Sequence, residues 1–287
     1  MTGWAQGGTP PDYEVLAIRY AEAFRPVSDL FMRPAPDLPP ICRIDYFVWL
    51  VRGGGRTVLV DTGFGPRAAA ERRRTLLRSP ADALSLLGVA AEVVSDIVLT
   101  HLHYDHAGNL NLFPNARFHL QVREMEGATG PDMAFAPCRA AFDVEDVTAM
   151  VRHVFAERVV FVDGDQDLAP GISLHWLGGH TRGLQAVRVR TQRGWVVLGS
   201  DALHFYRNLS EANPFPGLVD LPGILAAGRK ALALADSGDH LIPGHDPLVL
   251  TLFPPHPDVA DVAVLNLPPR APAPLASLNH EGPFNGR

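Results

Sequence analysis

The stretch DIVLTHLHYDHAGNL places four potential metal ligands within six residues. An apolar strand runs directly into His101 and His103, and Asp105 and His106 follow closely. Alternate residues of an extended chain point to the same side, so His101 and His103 can reach one point in space. Beyond the bend, Asp105 and His106 face a neighbouring point. Imidazole and carboxylate groups are common ligands of divalent metals, so this corner predicts ligands for two cations.

Other metal-type ligands follow apolar strands elsewhere in the chain. His180 follows WLGG, Asp201 follows VVLGS, and His245 follows LIPG. Asp61 ends the apolar stretch RTVLV in the same way. Taken singly, a histidine or aspartate at such a place more often serves a turn or packs at the surface. The repetition of one pattern, a strand followed by a ligand, favours a shared site at one edge of a sheet.

The elements that must position these side chains are mostly strands. Alternation of apolar and polar residues predicts a strand over Tyr13–Tyr20 and a hairpin that ends at Asp61. A helix is predicted over PRAAAERRRTLL and a second one after a Ser79 cap, and the mostly helical, polar segment 124–158 predicts a cap over the site. Further strands, a helix at GILAAGRKALALA and a last strand at DHLIPGHDP complete two sheets with helices outside them.

Composition bounds the class of protein and of partner. The formal net charge is -6 and the longest basic run is three arginines, which disfavours binding to nucleic acid or to an anionic membrane. Two cysteines are too few for a disulfide framework, and no cationic, apolar leader or membrane-length apolar run is seen. We therefore expect a cytoplasmic protein that acts on a small molecule. Residues 1–12 and 266–287 are rich in Gly, Pro and Ala and predict arms outside the core, which could pair two copies as a homodimer.

The order His-x-His-x-Asp-His, then His, Asp and His, resembles the metallo-β-lactamase superfamily over residues 43 to about 250. This resemblance implies an α/β fold, a four-layer αββα sandwich, in one metallo-hydrolase domain over residues 1–287. It also implies two divalent ions, with zinc the default for such ligands and iron, manganese or cobalt as alternatives. The implied assignment gives His101, His103 and His180 to one metal, Asp105, His106 and His245 to the other, Asp201 as the bridge, and Asp61 as a partner that orients a ligand histidine.

Within the superfamily, the motifs HLHYDHAGNL, GGHTRG, GSDALHFYRN and PGHD resemble the lactonases, which include the acyl-homoserine-lactone hydrolases. That likeness implies a hydrolase that opens a lactone ring by attack of a hydroxide held between the metals. Alternatives are hydrolysis of another ester, a thioester or a cyclic amide at the same site, or a non-catalytic metal-binding role. The glyoxalase II branch is disfavoured because Lys230 is the only lysine, and the true β-lactamases because several of them use a different ligand set.

The sequence departs from the lactonase pattern at one position, which lies beside the substrate in those enzymes. The lactonases usually carry a tyrosine three residues after the bridging aspartate, and here that position is His204, with Tyr206 two residues further on. In an extended chain both would share a face, so His204 and Tyr206 are alternative catalytic candidates beside Asp105. We expect Phe205, Met133 and Phe135 to line the substrate pocket.

Overall fold

The structure is a computed structural model that describes residues 10–278. Within this range the strands form two sheets, one of eight strands and one of five. In chain order the strands are β1 (Glu14–Pro26), β2 (Ile41–Gly53), β3 (Arg56–Val60), β4 (Thr75–Leu76), β5 (Asp96–Val98), β6 (Arg117–Gln121), β7 (Val159–Val162), β8 (Gln166–Ala169), β9 (Ile172–Trp176), β10 (Gln185–Thr191), β11 (Gly194–Ser200), β12 (Leu241–Pro243) and β13 (Val262–Val264).

The first sheet has the order β13-β1-β2-β3-β5-β6-β7, and β4 pairs with β1 beside this path. Its long antiparallel half, β1 to β3, is a meander, whereas β3, β5, β6 and β7 run parallel. The second sheet has the order β12-β11-β10-β9-β8, in which β11 and β12 are parallel. The parallel pairs send their carboxyl ends to one edge, which is where the predicted ligands follow.

The α-helices are short, apart from two. They are α1 (Pro66–Arg72), α2 (Pro80–Leu86), α3 (Tyr104–Ala107), α4 (Val122–Thr129), α5 (Ala136–Arg139), α6 (Val144–Phe155), α7 (Tyr206–Ser210), α8 (Leu221–Leu234) and α9 (Leu248–Leu252). The predicted Ser79 cap is confirmed, because its hydroxyl accepts a hydrogen bond from the Asp82 N–H. The segment from α4 to α6 is helical, as expected for the cap over the site. None of the helices in residues 10–278 is long and apolar enough to cross a membrane.

Alternation along the strands separates two hydrophobic clusters and produces the layers. On β2, Phe47, Trp49 and Val51 pack with residues of the second sheet, while Val48 and Leu50 face the opposite way. The opposite face is covered by α1, α2 and α6, and the outer face of the second sheet is covered by α8. Each such large apolar side chain stabilises the fold by roughly 1.5–3 kcal/mol on burial. The result is the expected α/β fold, an αββα sandwich of four layers.

Two expectations about chain segments need correction. The helix predicted over PRAAAERRRTLL ends at Arg72, because Arg73 adopts a left-handed conformation with φ 55° and β4 then pairs with β1. The start of the C-terminal tail is not a free arm, since Ala273 and Leu275 are buried against the core. Residues 1–9 and 279–287, which carry the rest of the predicted arms, lie outside the described residues.

Candidate metal centre

Four chain segments bring the candidate ligands to one edge of the two sheets. Extended residues after β5 carry His101 and His103, and α3 then supplies Asp105 and His106. The other segments follow β9, β11 and β12. A Gly-Gly bend leads into His180, and a Cβ on Gly179 would lie 2.3 Å from the backbone of α8, so only glycine fits there. Burial and close packing therefore fix these loops.

The structure gathers the predicted ligands into two adjoining groups. His101, His103 and His180 present ring nitrogens that all lie within 4.8 Å of one another. Asp105, His106 and His245 form a second group that meets the same distance limit. Five of the six side chains are buried, and Asp105 is partly exposed and lines the cavity described below. These are the two sets that the resemblance implied, and two overlapping sets, His101 with His106 and Asp201, and His180 with Asp201 and His204, meet the same limit.

Asp201 lies between the two groups and faces each with a different oxygen. Its Oδ2 is 3.2 Å from His180 Nε2 and 3.9 Å from His101 Nε2. Its Oδ1 is 3.1 Å from His245 Nε2 and 3.5 Å from His106 Nε2. A carboxylate placed in this way can serve a cation on either side.

Two of the candidate ligand histidines are oriented through their other ring nitrogen. Nδ1 of His180 lies 2.7 Å from the Gly217 carbonyl oxygen, and Nδ1 of His245 lies 2.8 Å from the Asp45 carbonyl oxygen. Such an arrangement fixes the tautomer, so that Nε2 points into the site with a free electron pair.

Asp61 performs the same task for His106 with a side chain. Its carboxylate accepts hydrogen bonds from Thr100 N–H at 2.7 Å and from the Thr100 hydroxyl at 2.8 Å. His106 Nδ1 lies 2.7 Å from Asp61 Oδ2. Asp61 has a left-handed backbone, φ 63°, in which aspartate and asparagine are better tolerated than most residues. The predicted orienting partner of a ligand histidine is therefore in contact with one.

The electrostatics separate the histidines into two kinds. Burial, assisted by neighbouring imidazoles, lowers the pKa of His101 and of His103 well below the usual range, so both are unprotonated at neutral pH. Burial also acts to lower the pKa of His106, but the carboxylates of Asp201, Asp61 and Asp105 outweigh it and raise that pKa to about 10. A cation at His106 must therefore compete with a proton, and its binding should strengthen as the pH rises.

Unsatisfied polar atoms test whether these residues fit a metal ion. His101 Nε2 and His106 Nε2 are buried, and no residue between 10 and 278 gives either atom a hydrogen bond. An unsatisfied buried group of this kind costs about 1–3 kcal/mol. Both atoms point toward Asp201 and the other ligands, and imidazole nitrogen with carboxylate oxygen is the donor set that zinc and its neighbours accept. The residues fit divalent cations.

Comparison with protein families tests the resemblance to the superfamily without using the geometry of the site. The profile of the metallo-beta-lactamase superfamily matches residues 45–259, about three quarters of the chain. The chain belongs to the metallo-beta-lactamase superfamily.

Curated relatives of this superfamily member include lactonases. An N-acyl homoserine lactonase of Agrobacterium fabrum, AiiB, is 30% identical over 211 residues, which is 67% of this chain and 75% of that protein. An N-acyl homoserine lactonase of Bacillus thuringiensis is 28% identical over 135 residues, 47% of this chain and 48% of that protein. The chain thus spans about half the length of the Bacillus relative that it matches. A solved structure of a quorum-quenching N-acyl homoserine lactone lactonase has a TM-score of 0.69 at 21% identity, over 84% of this chain and 94% of that chain, which confirms the superfamily fold.

The two alternative catalytic candidates lie in different places. His204 lines the cavity beside the metal centre, with Nε2 2.9 Å from Asp201 Oδ2 and its ring stacked on Phe215 at 3.3 Å. Burial lowers the pKa of His204 to about 4, so the ring is neutral at pH 7. Tyr206 is 1% exposed, packs in the hydrophobic core and is not part of the cavity lining. The shared face expected from extended backbone is absent, because α7 begins at Tyr206 and turns its side chain inward.

The cavity at the metal centre has a volume of about 1230 Å³. Of the three expected pocket residues, Met133 lines it. Phe135 does not, because this residue is 64% exposed to solvent and is absent from the lining. Phe205 does not either, because it packs against Phe31 at a ring distance of 5.8 Å. The apolar wall comes instead from Met133, Phe142, Trp176, Phe215, Leu218 and Val219.

Glu124 is a functional candidate that sequence reasoning missed. It is 1% exposed and accepts hydrogen bonds from Leu102 N–H and Gly183 N–H, both at 2.9 Å. One carboxylate thereby joins the loop of His101 and His103 to the loop of His180. A Cβ on Gly183 would lie 2.3 Å from the Glu124 backbone, so the approach requires glycine. The only signal in the sequence is an acidic residue in the first turn of the helix that follows β6. This pattern does not distinguish Glu124 from the other polar residues of the cap.

Proposed function

We propose that this protein is a metal-dependent hydrolase that opens a lactone ring, with N-acyl homoserine lactones as the first class to test. One observation carries the proposal: seven ligand side chains from four segments converge in two groups around Asp201. The lactonases among the relatives support the choice of a cyclic ester over other bonds. Quorum quenching would be the biological consequence of activity on that class.

The assignment of ligands follows the two groups. His101, His103 and His180 would hold one divalent ion, Asp105, His106 and His245 the second, and Asp201 would serve both. Two divalent cations supply Lewis acidity, which polarises a carbonyl group and acidifies water. Zinc is the first choice for histidine and carboxylate ligands, with iron, manganese and cobalt as alternatives.

The chain's own residues would position and move protons. Asp105 lines the cavity, and its Oδ2 lies 3.7 Å from His106 Nε2 and 3.8 Å from His245 Nε2. If this oxygen binds a cation, the other carboxylate oxygen remains free to accept the proton of the attacking water and to return it to the ring oxygen that leaves. Proton transfer through Asp105 requires no second acid.

His204 fits a positioning role better than the proton donor considered from the sequence. Its neutral ring can donate the Nε2–H to Asp201 Oδ2, which fixes the carboxylate that serves both groups. Nδ1 is buried, and none of the described residues bonds to it. The stacked Phe215 ring holds the imidazole in this orientation and completes the wall of the cavity.

The apolar cavity wall supports a substrate with a hydrophobic part. Flexible Met133 and the aromatic rings of Phe142, Trp176 and Phe215 offer surface for an acyl chain or an aromatic group. The polar centre lines the same cavity through Asp105, His180 and Asp201. A lactone with an apolar substituent matches both features.

The test combines metal content with a substrate panel. Purified protein should bind two divalent ions per chain and should hydrolyse acyl-homoserine lactones and simple γ- and δ-lactones faster than an aryl ester, a thioester, a cyclic amide or a β-lactam. Replacing His106 with Ala should leave one ion and abolish turnover. Replacing His153 with Ala is the matched control, because this buried histidine packs on Phe118 away from the ligands.

The outcomes separate the alternatives. Turnover of the thioester or the cyclic amide with inert lactones would refute the lactonase assignment and retain the hydrolase. Metal binding without turnover of any substrate would indicate the non-catalytic role. A homodimer and a cytoplasmic location remain predictions, to be measured by light scattering and by cell fractionation.

A further inference from the structure

The wall of the cavity carries four arginines, which differ in whether a carboxylate neutralises them. Three of them, Arg25, Arg123 and Arg182, have an aspartate oxygen at 2.6, 3.7 and 2.5 Å. The fourth is Arg74, which also lines the cavity. Over residues 10–278 no aspartate or glutamate forms an ion pair with it.

Arg74 is held in place by neutral groups. Its Nε donates to the Tyr104 hydroxyl at 3.1 Å, and its Nη1 donates to the Arg72 carbonyl oxygen at 2.8 Å. The guanidinium carbon lies 5.9 Å from the centre of the Tyr46 ring. Within the described chain no acceptor bonds to Nη2. Asp105 acts on this guanidinium only from beyond ion-pair distance, so Nη2 of the partly buried side chain is available to donate to an anion in the cavity.

Tyr46 adds a second donor on the same wall. The Tyr104 hydroxyl lies 3.4 Å from the Tyr46 hydroxyl. Because the Tyr104 oxygen accepts from Arg74 and its own proton turns toward Tyr46, the Tyr46 O–H remains able to donate. Arg74 Nη2 and Tyr46 O–H are therefore two donors on one wall of the cavity, in side chains that both contact the Tyr104 hydroxyl.

This pair of donors lies beside the metal centre. The Tyr46 ring meets the His245 ring edge-on, with ring centres 5.2 Å apart. Arg74 is thus separated from a proposed ligand by one aromatic ring. A substrate whose reacting carbonyl lies at the metal centre could reach Arg74 with a chain of a few carbon atoms.

We propose that Arg74 and Tyr46 form an anion subsite, and that the enzyme prefers a lactone that carries a carboxylate on a short chain. This inference rests on the proposed function for its substrate class, but the subsite can be tested without catalysis. Arg74 donates a charge-assisted hydrogen bond from Nη2 to the carboxylate, and Tyr46 donates a second one.

The binding test uses two ring ketones that cannot be hydrolysed. One is cyclopentanone with a butanoate side chain, and the other is the matching butanamide. Calorimetry on the metal-loaded protein should show the carboxylate binding about 10- to 100-fold more tightly than the amide, as expected for charge-assisted hydrogen bonds. Arg74→Gln should remove this preference, and Arg74→Lys should retain part of it because the charge remains. Arg25→Gln, which removes another cavity arginine, should retain the preference.

Two results would overturn the subsite. Either the unmodified protein binds both ketones equally, or Arg74→Gln keeps the preference, in which case the carboxylate binds elsewhere, for example at the metals. The corresponding lactones then test the proposed function separately. If the ketone preference depends on Arg74 but neither lactone is hydrolysed, the anion subsite stands and the lactonase proposal fails.

Discussion

Replacing Asp61 with Asn tests how the second metal group is built. Asparagine has nearly the same shape and tolerates the left-handed backbone at this position, φ 63°, so the fold should be preserved. The change replaces one carboxylate oxygen by an NH2 group. If the remaining oxygen accepts from Thr100 N–H, the NH2 group faces His106 Nδ1, which lies 2.7 Å from the carboxylate in the native protein.

The size of the expected loss of metal affinity follows from this contact. Two donors cannot share it, so His106 moves its proton to Nε2, the atom that faces Asp105 and Asp201. Loss of such an outer partner typically weakens metal binding 10- to 100-fold, or by about 1.4–2.8 kcal/mol. We expect the larger loss for the ion at His106, because Asp61 contacts His106 directly and reaches His101 only through the Thr100 hydroxyl.

The assay is a chelator competition titration that resolves the two metal affinities, combined with lactone turnover. Asp96→Asn is the matched control, since Asp96 is another buried aspartate and lies 2.9 Å from a histidine, His119, remote from the ligands. It should leave both affinities unchanged. If Asp61→Asn retains two ions with native affinities and turnover within about two-fold, the orienting role inferred from its contacts is wrong.

The other predictions concern stability in acid, the contact of His204 with Asp201, and the contact of Glu124 with two loops. His119, with smaller help from Ser95 and Arg117, lowers the pKa of Asp96 to about 2 from 3.8, so this group should contribute about 2 kcal/mol above pH 4. That contribution should be lost as the pH falls from 4 to 2, and chemical unfolding of Asp96→Asn should show a flatter acid limb than the native protein. His204→Phe should lower turnover and metal affinity about 10-fold, while His204→Gln keeps a donor to the bridge and most activity; equal loss in both would favour the proton-donor role. Glu124→Gln should weaken the first metal group and not the second, because one of two N–H groups loses its acceptor. Equal weakening of both groups in metal titrations would contradict the inference that Glu124 positions the loops of the first group.

Several sequence expectations agree with the structure because they depend on local chemistry. The alternation in β2 predicts a two-sided strand, and its odd and even residues do enter different clusters. Ser79 caps a helix through its own hydroxyl, which requires only the residues that follow it. The pattern of a strand followed by a candidate ligand also agrees with the structure, since the carboxyl ends of these strands meet at one edge.

Other expectations depended on the direction of individual side chains and were corrected. Tyr206 was a candidate only if its backbone were extended, and the start of α7 places it in the core. Phe135 and Phe205 have suitable chemistry for a pocket, but one faces solvent and the other packs on Phe31. The contacts of Glu124 with two loops and the neutral surroundings of Arg74 had no recognisable pattern in the sequence.

The sequence by itself determined which residues can bind cations and that they follow strands, because ligand chemistry and strand periodicity are properties of short segments. Only the tertiary structure decided that Asp201 faces both groups, that His204 bonds to Asp201, and that no carboxylate of residues 10–278 forms an ion pair with Arg74. Those relations join residues separated by tens to hundreds of positions. They depend on how two twisted sheets pack, and no local pattern encodes that packing.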